Sequence, residues 1–284
     1  MSAPLPSYVY RAMSSADLPA AHALSVQLKW PHRLDDWAML QRVSNGFVVL
    51  DGQRLIGTAF ACPQGEYTTI GLVIVSDDYQ GKGIGRKLME LALEACQSST
   101  PMLNATLAGA PLYASQGFVE FGLIQQHQGQ AQAPVASPLA DGEECHPLRK
   151  VDQARVLELA NAGSGLDRQA VLSELFAVVE HSVGIVRDGQ VHAFALLRPF
   201  GRGRCIGPVI AENLEQAQHL IAVLLAQVPD AFVRIDIPAD CGLADWLESA
   251  GLKKVDTVAQ MARSTPPKTA NGVRQFALVT QAIG

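Results

Sequence analysis

The 284-residue chain has no CxxC pair. Its five cysteines, Cys62, Cys96, Cys145, Cys205 and Cys241, are scattered and odd in number. That pattern excludes a disulfide framework or a zinc knuckle and reads as reduced thiols of a cytoplasmic protein. Long apolar runs are missing too. A membrane span takes about 20 consecutive apolar residues, and the stretches Ile70 to Val75 and Leu220 to Ala226 fall far short. The opening MSAPLPSYVYRAM lacks the apolar segment of a secretory signal. There is no basic excess: 22 Lys and Arg stand against 27 Asp and Glu, a net charge of −5. General nucleic-acid binding needs a basic face to displace counterions, so that class is excluded. His146, His181, His192 and His219 show no ligand spacing, so no metal site is expected. An anionic small molecule held by a local site remains compatible with this charge.

What is present is enough apolar material, 48% of residues, for a real core. The length favours two domains. Gln125 to Cys145 is rich in Gln, Ala, Gly and Pro and poor in large apolar residues, which marks a connection. The expected division is a first domain over 1–126, a linker over 127–145 and a second domain over 146–284. The first half alternates strands and helices. A strand is expected at Tyr8 to Arg11, and Ser14 with Asp17 makes a capping-box start. A second helix follows over Leu34 to Arg42. Asp51-Gly52 joins two β runs, and Thr69 to Val75 reads as a buried central strand. Ile84, Leu88, Leu91, Ala92 and Ala95 recur at helical spacing. Another strand at Pro101 to Ala105, a short helix at Pro111 to Gln116 and a strand at Val119 to Ile124 complete a mixed α/β sheet.

The second half repeats this order. IGLVIV at Ile70 to Val75 returns as IGPVIA at Ile206 to Ala211. Asp51-Gly52-Gln53 returns as Asp188-Gly189-Gln190, and the nonapeptide ending at Phe118 returns as the one ending at Leu252. Near-constant offsets in one order imply two copies of one fold. A helix at Asn213 to Gln227 and a strand at Phe232 to Ile237 fall where the repeat requires them.

The segment that carries chemistry is Gln80-Gly81-Lys82-Gly83-Ile84-Gly85, between the strand ending at Val75 and the next helix. Glycines let the backbone approach a ligand and take dihedrals closed to other residues. The amides of a helix N-terminus favour an anion, and Lys82 and Arg86 add positive charge. The whole reads as a pyrophosphate cradle. No GKS or GKT follows, so it is not a P-loop, and the spacing and position do not fit a dinucleotide fingerprint.

Gln-x-x-Gly-x-Gly after a V-x-V strand resembles motif A of the GNAT superfamily of acyl-CoA-dependent N-acetyltransferases. Leu112-Tyr113 followed by Gly117-Phe118 is similar to that family's motif B. The resemblance implies two tandem GNAT folds with acetyl-CoA as cosubstrate. The cofactor-binding set it implies is Val73, Ile74, Val75, Gln80, Gly81, Lys82, Gly83, Ile84, Gly85, Arg86 and Asn104. Tyr113 is then the general acid, and the backbone amide near Val75 the oxyanion donor. A protein-lysine member would carry Glu where Thr69 stands. Glu66 and His32 are therefore the candidate bases, His32 because its ordinary pKa suits neutral pH. Trp30, Arg198 and Arg202 are candidate substrate contacts, with Arg204 nearby, and Trp37 and Trp246 are further aromatic candidates for a pocket or for packing. Aligning the repeats sets Gln216 to Ile221 opposite the glycine turn and Leu247 opposite Tyr113, so the second copy is expected to be degenerate. The expected acceptor is a small-molecule amine. A protein lysine, or acyl-CoA sensing without turnover, are the alternatives. The resemblance leaves a homodimer open, since the tandem repeat could supply internally what a dimer supplies elsewhere.

Overall fold

In a computed structural model, residues 8–132 and 134–284 are described; the amino-terminal reading over 1–7 and Ala133 of the expected linker lie outside them. The chain enters through β1 (Val9–Ala12). At its end the Ser14 amide donates to Asp17 Oδ2 at 2.7 Å, while Arg11 grips the same carboxylate with two guanidinium nitrogens. This capping box launches α1 (Leu18–Gln27), followed by α2 (Leu34–Arg42). Strands β2 (Asn45–Asp51), β3 (Arg54–Gln64) and β4 (Tyr67–Val75) form a meander. Then come α3 (Ile84–Ala95), β5 (Thr100–Ala105), α4 (Ala110–Ala114) and β6 (Val119–Gln130). Helix α3 buries Ile84, Leu88 and Ala92 of the expected face against the sheet, with Met89 beside them, while Leu91 and Ala95 are half-buried.

The second half follows the same order. Its elements are β7 (Glu144–Pro147), α5 (Gln153–Ser164), α6 (Gln169–Val178), β8 (His181–Arg187), β9 (Gln190–Phe200) and β10 (Gly203–Ala211). They continue with α7 (Leu214–Ala226), β11 (Phe232–Pro238), α8 (Ala244–Ser249) and β12 (Lys253–Ala262). One further strand, β13 (Arg274–Ala277), has no counterpart in the first half.

Among the described residues thirteen strands join one sheet, ordered β1-β2-β3-β4-β5-β12-β6-β11-β10-β9-β8-β7, with β13 on β10. The two halves have therefore exchanged their last strands. β12 pairs antiparallel with β5, β6 pairs antiparallel with β11, and β6 and β12 pair with each other at the centre. The core is shared as well. Leu24, Trp37 and Leu40 of the first half pack in one cluster with Leu159, Leu172, Leu175 and Phe194 of the second.

This corrects the expected linker at its start. Gln125 to Gln130 is strand, paired on one side to Phe232–Ile237 and, over Gln125 to Gln128, on the other to Lys253–Thr257. The segment carries no apolar alternation because it is held through its backbone on both edges. His127 is buried there, its Nδ1 3.1 Å from the Leu252 carbonyl. Gly129 is required by close approach, since a Cβ would come within 2.1 Å of the Gly251 carbonyl oxygen.

Candidate active site

Strands β4 and β5 pair in parallel only from Tyr67 to Ile70 and then part. The divergence starts at a bulge: the register with β3 shifts between Thr58 and Phe60, and Leu72 sits at φ +48°. A left-handed leucine is strained. The buried Thr58 hydroxyl holds it by donating to the Leu72 carbonyl at 2.8 Å. Beyond the bulge, the β5-facing edge of Gly71 to Val75 opens onto a cavity of about 460 Å³.

The glycine turn closes one end of this cavity. Gly81 and Gly83 have φ of +74° and +78°, and a Cβ on either would meet nothing within 4 Å. Their requirement is thus conformational. Gly83 is the N-cap of α3 and offers no side chain, and the first amide to find a helical carbonyl is that of Lys87. The preceding amides of the first turn are left for a ligand, where the helix dipole favours an anion. Gln80 steadies the turn by donating to Asp77 Oδ1 at 2.9 Å.

Val73, Val75, Gln80, Gly81, Gly83, Ile84, Gly85, Arg86 and Asn104 all line the cavity, as does Tyr113 at its far end. Two of the expected contacts do not. Ile74 points to the opposite face of β4 and is buried in the shared core, as strand alternation demands. Lys82 turns back, donating to the Asp78 carbonyl at 3.0 Å over the Tyr79 ring. Tyr113 lies edge-on to Phe118, and burial pushes its phenol up to about 12. Among the described residues nothing hydrogen-bonds its hydroxyl, which stays protonated throughout the neutral range.

A second cavity of about 130 Å³ adjoins the first and shares Trp30, Leu72, Asn104 and Thr106 with it. His32 is on its wall. Burial and then the Arg234 cation push the His32 imidazole down to about 4, so it is neutral at pH 7. Its ring packs edge-on against Phe200, with 5.3 Å between centroids. The other walls come from Gln126, from Arg234 and Asp256 of the second half, and from Thr280 to Ala282.

Glu66, Arg198, Arg202, Arg204, Trp37 and Trp246 fall outside both cavities. Glu66 is exposed in the β3–β4 turn, six residues along β4 from the bulge, roughly 20 Å at strand spacing. It is not placed to be a base. Arg202 is exposed at the β9–β10 turn, its guanidinium 4.5 Å from the Phe232 ring centroid. Arg198 is buried beneath the second cavity, where its Nη2 donates to the Val279 carbonyl at 3.0 Å. Arg204 is paired with Glu180. Trp37 is fully buried, donating to Ser25 Oγ at 3.1 Å, and Trp246 packs against the second-half core. Trp30 faces both cavities, and Trp37 and Trp246 line neither.

Sequence reasoning missed Gln126, Arg234, Asp256 and the 280–282 segment. Arg234 did carry a signal. It stands with Asp236 in a strand whose alternate residues, Val233, Ile235 and Ile237, are all apolar and buried. Two charges in a strand paired on both edges are costly unless used or paired.

The chain is 31% identical over 225 residues to the uncharacterized N-acetyltransferase YitH of Bacillus subtilis, spanning 78% of each protein. Residues 43–120 and residues 156–277 each match a family model described as an Acetyltransferase (GNAT) domain. The chain belongs to the GNAT acetyltransferases. This GNAT protein is also 27% identical over 210 residues to a holothin acyltransferase of Pseudoalteromonas, covering 72% of its own length and 69% of that enzyme. In fold it resembles the crystal structure of a putative acetyltransferase from Pyrococcus horikoshii, with a TM-score of 0.80 at 17% identity over 100% of this chain and 98% of that one. It is an acyltransferase with two GNAT folds.

The second GNAT fold has lost its cleft in a way the repeat alignment did not reveal. Eight residues separate β4 from α3, but only Glu212 and Asn213 separate β10 from α7. The turn is deleted rather than substituted. Gln216 to Ile221, expected opposite the glycines, lie within α7, and Asn213 caps that helix by accepting from the Gln216 amide at 2.9 Å. The gap where β10 leaves β11 is filled by the chain itself. β13 pairs with Val209 to Ala211, the residues that correspond to Val73 to Val75 in the repeat. Leu247 is fully buried where Tyr113 faces the open cavity.

Proposed function

We propose that this GNAT acyltransferase moves an acetyl group from acetyl-CoA to a primary amine on a small molecule. The observation that carries the reading is the continuous pair of cavities. One runs from an uncapped helix N-terminus to a protonated tyrosine, and the other opens beside it between the two halves. In this reading the pyrophosphate rests on the first turn of α3, and the pantetheine lies along the free edge of Gly71 to Val75. Arg86 adds positive charge at the mouth.

The amine lone pair attacks the thioester carbonyl carbon, the carbon–sulfur bond breaks as the carbonyl re-forms, and the proton that the nitrogen sheds on becoming an amide passes through water to the thiolate. The backbone amide near Val75 donates to the oxygen as negative charge develops there. Tyr113 donates to the departing sulfur. With its pKa near 12 against ~8.5 for a thiol, complete transfer in the ground state is uphill by about 5 kcal/mol. Tyr113 therefore acts first as a hydrogen-bond donor to the forming thiolate. His32, near 4, is a poor acceptor for the proton of an alkylammonium with pKa ~10.4. The amine thus reacts from its neutral fraction, losing its proton through water.

A protein-lysine acceptor fits less well, because the second cavity is small, about 130 Å³, and is walled by Trp30, His32 and the 280–282 segment. The test is thiol release from acetyl-CoA across a panel of primary amines, wild type beside Tyr113→Phe. The substitution lowers kcat by about 10- to 100-fold and leaves acetyl-CoA affinity unchanged. A wild type that binds acetyl-CoA but releases no thiol with any amine contradicts turnover and favours a sensor.

A further inference from the structure

The second cavity has an electrostatic character that the acetyl-CoA cleft does not explain. Arg234 on β11 is 6% exposed. Its Nε and Nη2 donate to the buried Asp236 carboxylate at 2.9–3.2 Å. Among the described residues its Nη1 has no partner, and Arg234 forms part of the cavity wall. Behind it lies Arg198, 1% exposed, which donates only to backbone carbonyls and whose Nε is buried without a partner. Arg234 is thus paired with Asp236, while among the described residues Arg198 beside it has no ion pair. The other nearby acids do not balance them: Asp36 is paired with Arg33, and Asp256 is exposed at the rim. A buried cation without an anion is expensive, and a bound anion relieves it.

A second unpartnered group borders the same space. Asn104 donates through Nδ2 to the Gln281 carbonyl at 2.8 Å, which fixes the amide orientation, because a carbonyl only accepts. Its Oδ1 is buried and has no partner. Asn104 belongs to the wall of both cavities, where acetyl group and amine would meet.

We propose that the second cavity binds a small acceptor that carries a carboxylate close to its amine, with Arg234 Nη1 holding the carboxylate and Asn104 Oδ1 accepting from the amine N–H. A carboxylate matches the guanidinium edge geometrically and gains a charge-assisted bond in a site shielded from water. The volume of about 130 Å³ suits a short carbon skeleton. This assignment rests on the acetyltransferase reading above.

The test offers L-amino acids, each beside its carboxamide, which keeps the shape and removes the charge. Thiol release from acetyl-CoA is measured with the wild type, Arg234→Met and Arg234→Lys. At least one amino acid is used with kcat/KM at least 30-fold above its carboxamide. Arg234→Met erases that preference, raising KM for the amino acid more than it lowers kcat, while KM for acetyl-CoA is unmoved and Arg234→Lys restores part of the difference. Carboxamides used as well as the acids overturn the proposal. So does a preference that survives in Arg234→Met. The comparison of acid with amide in the wild type holds even if Arg234→Met fails to fold. Acetyl-CoA binding with turnover of other amines only overturns this assignment alone, whereas absence of acetyl-CoA binding overturns the acetyltransferase reading beneath it.

Discussion

At the scale of single residues the chemistry turns on protonation. His32 sits near 4 because burial and two arginines disfavour its charged form. Its folded pKa is below the unfolded ~6.5, so the stability it allows is present above pH ~6.5 and is lost as pH falls through 4. The full difference is about 3 kcal/mol. Chemical denaturation between pH 7 and 4 should therefore show a decline that flattens in His32→Leu; an unchanged decline assigns the loss to other groups. On the reaction side the amine must be neutral. We expect kcat/KM for the acceptor to rise about tenfold per pH unit from 6.5 to 8.5. It should show no inflection near 6.5, and one there would restore His32 as the base.

At the scale of elements the central object is the turn into α3. Gly83 is fixed by its φ of +78°, so Gly83→Ala costs about 1 kcal/mol of stability and also weakens acetyl-CoA binding. Gly85 differs. A Cβ there meets only Val75 Cγ2 at 3.6 Å and Leu112 at 3.8 Å, ordinary contacts, so nothing in the protein forbids alanine. Gly85→Ala should leave the melting temperature unchanged or raise it, and still reduce acetyl-CoA affinity at least tenfold. Thermal unfolding beside calorimetry separates the two variants. If Gly85→Ala binds normally, the ligand does not approach the first turn. The turn, its strand and its helix were legible in sequence because glycine positions, a β-branched run and helical spacing each signal locally. The polar half of β6 was not: Gln125 to Gln130 becomes strand only because two partner strands arrive from more than 100 residues away. β13 went unread for the same reason, since its place is set by a gap in another strand's pairing.

At the scale of the whole molecule, exchanged strands and a shared core make the halves interdependent. A fragment ending at residue 126 loses the last four residues of β6 and the whole of β12, which leaves β5 an unpaired edge. It also exposes Leu24, Trp37 and Leu40. Such a fragment should aggregate or fail to give a cooperative melt, while the intact chain unfolds in one transition. A soluble, cooperatively folding fragment would show that the exchange is dispensable.

In the same architecture one GNAT fold keeps an open cleft, the proposed acetyl-CoA site, and the other has filled its own. Calorimetry of acetyl-CoA binding to the purified protein tests this most directly, with Gly83→Glu alongside to block the turn. One site per chain is expected, abolished by the substitution. Two sites per chain would mean that β13 yields its place to the ligand, and no binding would contradict the cleft itself.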